Sequence, residues 1–115
     1  MHEASLILGM FDTIESDYQD YEIEKVTRIE LEIGRLSNAE PLILKQSFEV
    51  LKAGTVFEGA LFDIINVATE VRCLVCNSIY YPEDFPFMCS NCESLRSEIL
   101  KGDQILLTKL EMEVK

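Results

Sequence analysis

The chain has 115 residues, 48% of them hydrophobic, and carries 21 acidic against 10 basic side chains, for a formal charge of -11. That length holds one domain, or one domain with a small subdomain, because compact domains most often run to about 100–150 residues; two large domains are excluded. So acidic a surface repels phosphate, which argues against nucleic-acid binding; cations or basic protein surfaces are the more natural partners, although a surplus that simply keeps the protein soluble accounts for the charge equally well.

Membrane and export signals are missing from the pattern. No stretch approaches the roughly 18 apolar residues of a membrane span. Met1-His2-Glu3 opens without the basic and apolar regions of a secretory signal, so a cytoplasmic protein with no membrane partner is expected. From Glu3 to about Tyr18, the residues Ile7, Met10, Phe11, Ile14 and Tyr18 share one helical face, while Glu15, Asp17 and Gln19 point elsewhere; this predicts a first helix. The periodicity lapses over residues 17–22. From Thr27, the alternation of Thr27, Ile29, Leu31 and Ile33 with Arg28, Glu30 and Glu32 predicts a half-buried strand. Ser37 and Glu40 stand at capping-box spacing, Pro41 lies near a first helical position and Gly54 where a helix would stop. They predict a second helix whose inward stripe is Leu44, Phe48 and Leu51.

Leu61 to Val67 is a short apolar run after Gly59 and reads as another strand, so strand, helix and strand form a crossover unit. After the turn signal Gly102-Asp103, Leu106, Thr108, Leu110, Met112 and Val114 alternate with Leu107, Lys109, Glu111 and Glu113, predicting a final strand. All four cysteines lie between these last two strands. Their segment is therefore expected to be an insertion that leaves the α/β layer after about Val67 and returns at about Ile105. No internal repeat or low-complexity tract is visible.

The cysteines form two pairs, Cys73-Leu74-Val75-Cys76 and Cys89-Ser90-Asn91-Cys92, separated by twelve residues. Two tight turns at this spacing present two sulfurs each to a common centre, the signature of a tetrahedral zinc site with all four positions filled by thiolate. Between Arg72 and Leu100 there are too few apolar residues for an independent core, so metal binding has to replace hydrophobic burial. Disulfides fit poorly with a cytosolic chain, and a thioredoxin-like dithiol is normally single and sits between a strand and a helix. An iron–sulfur centre is the remaining alternative. Four thiolates leave no open position for water, so this metal is expected to hold structure rather than catalyse.

His2 is the only histidine. Its imidazole, the α-amino group and the first peptide nitrogens lie close enough to chelate one ion, a donor set that suits Ni(II) or Cu(II). The competing reading is an incidental histidine at a frayed terminus. No second histidine, open metal site or nucleophile motif supports an enzyme.

Met1-His2-Glu3, the run Leu31-Glu32-Ile33-Gly34-Arg35-Leu36-Ser37, the segment Phe48-Glu49-Val50-Leu51 with Gly54, and the two Cys-x-x-Cys pairs together resemble the HypA family, nickel-incorporation proteins that mature hydrogenases. The resemblance runs end to end in the same order. It implies an α+β fold in which two helices lie on a three-stranded mixed sheet, with a zinc-ribbon-like subdomain inserted before the last strand. That agrees with the layout above, dividing the chain into residues 1–69 plus 103–115 for nickel and 70–102 for zinc. It implies that His2, joined by backbone nitrogens, is the nickel ligand, that Glu3 belongs to the same site, and that an acidic residue at Glu40 stands close by. Glu40 otherwise has its capping role, and Glu3 that of a carboxylate at a helix N-terminus. Some relatives have a histidine beside the zinc cysteines, where this chain has Asn77 and Glu93. The resemblance further implies a non-enzymatic metallochaperone that passes nickel to a [NiFe] hydrogenase large subunit, or to urease, with a HypB-type GTPase. The alternative is a zinc-ribbon protein-interaction adaptor with no transported metal. Either a monomer or a homodimer is compatible with the sequence.

Overall fold

A computed structural model of the protein describes residues 3–115. Helix α1 spans Glu3–Asp17, and its 3.6-residue stripe buries Ile7, Phe11 and Ile14. Tyr18, expected on that stripe, lies one residue beyond the helix and is 38% exposed. A 3₁₀ turn, Gln19–Tyr21, leads into strand β1, Ile23–Gly34. The strand begins four residues before Thr27 because a register slip between Val26 and Arg28 breaks the alternation there. Val26 and Ile29 are both buried although three apart, which a regular strand does not allow.

Helix α2, Pro41–Leu51, follows with Pro41 in its first turn and buries Leu44 and Phe48. The expected Ser37–Glu40 capping box is absent. Glu40 is itself the N-cap, with no side-chain cap bond, and Ser37 sits in a 3₁₀ turn over Arg35–Ser37. Its hydroxyl donates to the Gly34 carbonyl at 2.7 Å. The left-handed Asn38, φ 65°, ends this turn and uses up the residues that a box would need. Strand β2, Leu61–Val67, then pairs parallel to β1, as a crossover through a helix requires. The last strand of the chain, labelled β6 here after three short ones, is Ile105–Val114 and runs antiparallel to β1. The sheet order is β2-β1-β6, a mixed three-stranded sheet with both helices packed against its apolar face. Phe11 stacks on Phe57 with ring centroids 4.0 Å apart, and Phe48 on Phe62 at 4.5 Å. Among the described residues no helix is long and apolar enough to cross a membrane.

Between β2 and β6 the chain builds a second, antiparallel sheet of order β4-β3-β5 from Glu70–Cys73 (β3), Ile79–Tyr80 (β4) and Ser97–Lys101 (β5). Its own core is small: Val71, Tyr80 and Phe87 bury themselves around Cys73 and Cys89. The Tyr80 hydroxyl donates to the Phe87 carbonyl at 2.6 Å. Leu36, from the turn after β1, packs against this cluster from outside the cysteine segment.

The two sheets meet where the chain leaves and re-enters. A Cβ on Gly34 would lie 2.3 Å from the Gly102 carbonyl carbon, and one on Gly102 would lie 2.8 Å from both the Ala68 oxygen and the Thr69 Cα. Gly102 also has φ +101°, which side chains disfavour. Gly34 N–H donates to Gln104 O at 2.8 Å and Leu36 N–H to Gly102 O at 2.7 Å, tying the turn after β1 to the returning strand. Gly34→Ala and Gly102→Ala are each expected to destabilise the protein by about 2 kcal/mol or more, since the obstacle is backbone that cannot swing aside. Gly9→Ala, in mid-α1 with nothing within 4 Å of an added Cβ, should instead stabilise by ~1 kcal/mol. Denaturant midpoints of the three variants check the opposite signs.

Candidate metal centre

Two loops with one local sequence build the four-cysteine site. Cys73-Leu74-Val75-Cys76-Asn77-Ser78 and Cys89-Ser90-Asn91-Cys92-Glu93-Ser94 share the frame Cys-x-x-Cys-x-Ser. Asn77 N–H donates to Cys73 O at 3.0 Å and Cys73 N–H to Ser78 O at 2.8 Å; Glu93 N–H donates to Cys89 O and Cys89 N–H to Ser94 O, both at 2.9 Å. Asn77 and Glu93 both take the left-handed conformation, φ 67° and 62°, which turns each loop back on itself. The two loops are thus a six-residue repeat, contrary to the expectation of none, and its sequence signal is the serine two positions after each second cysteine.

Each loop also aims main-chain donors at its first sulfur. Val75 and Cys76 N–H groups point at Cys73 Sγ, at 3.4 and 3.5 Å, and Asn91 N–H points at Cys89 Sγ at 3.4 Å. Such donors favour thiolate over thiol. The Cys76 backbone N–H, ahead of other causes, draws the Cys73 thiol below its usual range. The Ser78 hydroxyl, 3.1 Å from Cys76 Sγ, and the Asn91 amide at 3.5 Å hold the Cys76 thiol down at about 5. At Cys92 the Ser94 backbone N–H favours the thiolate, but desolvation and the neighbouring sulfurs of Cys73, Cys76 and Cys89 outweigh it and push the thiol up to about 12. Four sulfurs this crowded cannot all ionise without a cation between them.

The donor set fits such a cation. One sulfur from each cysteine lies within 4.8 Å of the other three, and Cys73 to Cys92 and Cys76 to Cys89 are both 3.6 Å. A tetrahedral ion with bonds of about 2.3 Å to thiolate requires sulfurs roughly 3.8 Å apart. All four cysteines are free of disulfides, and Cys73 and Cys89 are buried while Cys92 is exposed. With four sulfurs around one point, no position is left for a reacting water.

The second expected site begins outside the described residues: His2 lies there. Glu3, the first described residue, opens α1, and its carboxylate accepts a hydrogen bond from the Glu40 backbone N–H at 3.1 Å. The N-terminal turn of α1 therefore abuts the N-cap of α2, bringing Glu3 and Glu40 together although 37 residues separate them. Asn77 and Glu93 serve as the left-handed turn residues of the two loops.

Comparison with known proteins agrees with this layout. The family model described as hydrogenase/urease nickel incorporation, metallochaperone, HypA, matches residues 1–112. The chain belongs to this family. A hydrogenase maturation factor HypA from Desulfitobacterium hafniense is 37% identical over 113 residues, covering 98% of this chain and 99% of that one. That of Aquifex aeolicus is 32% identical over 114 residues, with 99% of each chain covered. The solution structure of the Ni metallochaperone HypA from Helicobacter pylori superposes with a TM-score of 0.69 at 25% identity, covering all of both chains. HypA proteins are maturation factors and metallochaperones, not enzymes.

The thiol environments set a pH dependence for loading the cysteine site. Around neutral pH, Cys76, held at about 5, is already a thiolate, whereas Cys92, at about 12, keeps its proton. A metal needs thiolate from both, so the loaded state binds fewer protons and raising the pH favours it. Zinc titration near pH 7, followed calorimetrically in two buffers of different ionisation enthalpy, is expected to show release of at least one proton per metal. Binding without proton release would contradict this account of Cys92.

Proposed function

We propose that this HypA protein is a nickel metallochaperone that takes up one Ni(II) through His2 and the neighbouring backbone nitrogens. Glu3 completes or supports that site, and the metal passes to the large subunit of a [NiFe] hydrogenase, with a HypB-type GTPase acting in delivery. Urease is a second client class within the family description. Zinc occupies the site of Cys73, Cys76, Cys89 and Cys92. Residues 1–69 plus 103–115 form the nickel-handling unit and 70–102 the zinc unit, and the protein works in the cytoplasm.

The observation that carries the reading is the bond from Glu40 N–H to the Glu3 carboxylate. It fixes Glu3, the residue next to His2 in the chain, against a second acidic residue at the head of α2. Imidazole and amide nitrogens suit Ni(II), whereas the closed ring of four sulfurs suits an ion that stays. A cargo site must release its metal, and nitrogen donors at a chain terminus can be displaced one at a time by a receiving protein. Zinc, when bound, supplies cross-linking between the two cysteine loops. The chain's own residues do the rest: the side chains of Ser78 and Asn91 hold Cys76 Sγ in place, and Leu36 seats the module against the turn after β1.

The adaptor reading, with no transported metal, is separated by one titration. Ni(II) is added to zinc-loaded protein, to His2→Ala and to Glu3→Gln. The His2→Ala variant is expected to lose more than the roughly 10- to 100-fold in affinity that removal of a merely supporting residue costs. Glu3→Gln keeps an oxygen that accepts from Glu40 N–H and should lose less. Binding should also weaken as pH falls below about 6.5, where an unperturbed imidazole takes up a proton. Equal affinity in wild type and His2→Ala would leave the adaptor as the better account.

A further inference from the structure

The end of α1 breaks the electrostatic rule for helices. Cations belong at a helix C-terminus, where the last carbonyls concentrate negative charge. The last turn of α1 has no basic residue. Residues 12–24 carry Asp12, Glu15, Asp17, Asp20, Glu22 and Glu24 with no lysine or arginine, and all six are exposed. Among the described residues none of the six takes part in an ion pair; Lys25, next along, is engaged by Glu113 at 3.1 Å. Among the described residues no ion pair relieves this repulsion, the kind of local conflict that functional surfaces retain.

An apolar groove adjoins this charge. Tyr18 and Tyr21, with ring centroids 5.9 Å apart, form one wall, and Leu110, Met112 and Val114 of β6 form the other around about 470 Å³. Tyr21 is 59% exposed. Strand β6 is terminal in the order β2-β1-β6, so its outer edge offers backbone donors and acceptors to a further strand.

We infer that this groove and the free edge of β6 dock an extended, arginine- or lysine-bearing segment of a partner protein, which adds a fourth strand to the sheet. Main-chain bonds to β6 supply affinity, and side chains at alternate positions enter the groove. Long cationic side chains fit it doubly: their stems lie on Leu110, Met112 and the tyrosine rings, while their heads reach Asp17, Asp20 and Glu22. A second copy of the chain is a poor occupant, because it brings another net -11 to the same edge. The inference stands apart from the His2 reading.

The test uses full-length, zinc-loaded protein and a labelled peptide alternating arginine with valine, with a glutamate–valine peptide as counterpart. The Asp17→Asn, Asp20→Asn, Glu22→Gln triple variant should bind the arginine peptide about tenfold more weakly, while the equally neutralising Glu49→Gln, Glu58→Gln, Glu83→Gln control changes little. Backbone amide shifts on binding should cluster at residues 18–21 and 106–114, and raised salt should weaken the complex. Free of ligand, Asp17→Asn should raise Tm slightly, since it relieves the helix terminus, which also shows the variant to be folded. Equal weakening by both triple variants, shifts centred on the cysteine module, equal binding of the glutamate peptide, or self-association along β6 would each overturn the inference.

Discussion

Gly34 packs so closely on the backbone of Gly102, and Gly102 on Ala68 and Thr69, that neither glycine has room for a Cβ. Most of the molecule's organisation depends on that contact. It is where β1 ends, where the cysteine segment returns to the sheet, and where the outgoing strand passes at Ala68 and Thr69. Because three backbone stretches meet there, hydrogen bonds can run directly from the turn after β1 to the returning chain, Gly34 to Gln104 and Leu36 to Gly102. A side chain at either glycine would hold those stretches apart and remove both bonds. The same turn then faces two ways. Leu36 enters the core around the cysteines, and four residues later the Glu40 N–H meets Glu3 at the start of α1.

The cysteine module shows how little apolar burial supports it. Leu74, Val75, Phe85, Met88 and Leu95 are all more than half exposed, leaving Val71, Tyr80 and Phe87 with the sulfurs as the core. Three side chains of this size contribute only a few kcal/mol of burial, well short of the ordering cost of some thirty residues. Cross-linking by a metal at the four sulfurs would close that gap, and the N–H···S bonds show the loops shaped to hold sulfur in its ionised form.

What the sequence disclosed followed the strength of each periodic signal. The stripe of α1 and the alternation of β6 each report a one-sided environment, Leu61–Val67 is a short apolar run, and each element appears where its pattern stands. The spacing of the cysteines likewise disclosed the cluster. Errors fell where two local rules competed. Val26 belongs to the buried face only because of the slip beside Thr27, and a bulge leaves no mark in composition. Ser37 and Glu40 have capping-box spacing, but Ser37 bonds back to Gly34 and the helix starts later. Leu36 as a contact for the metal core was illegible because it is tertiary, with nothing local to say that residue 36 packs on the cysteine core; the nearness of Glu3 and Glu40 came only through the family resemblance.

These arrangements explain why one small chain holds two metal-binding chemistries, in the reading proposed here, without confusing them. Four thiolates in a closed ring bind a borderline-soft cation tightly and offer no vacant position through which another protein could draw it away. Nitrogen ligands near a chain end are fewer and harder, and can be replaced singly. Had the order been reversed, with cargo held by sulfur and structure by the terminus, the module would lose its core each time metal moved. Separation along the chain also matters. The cysteine loops lie beyond the glycine contact, while Glu3, the neighbour of His2 in the chain, meets Glu40 at the head of α2. The turn from Gly34 to Glu40 carries both Leu36, which packs on the cysteine core, and the Glu40 N–H that meets Glu3, so in the proposed reading its backbone bonds, rather than any side-chain ligand, link the part that keeps its metal to the part that gives its metal up.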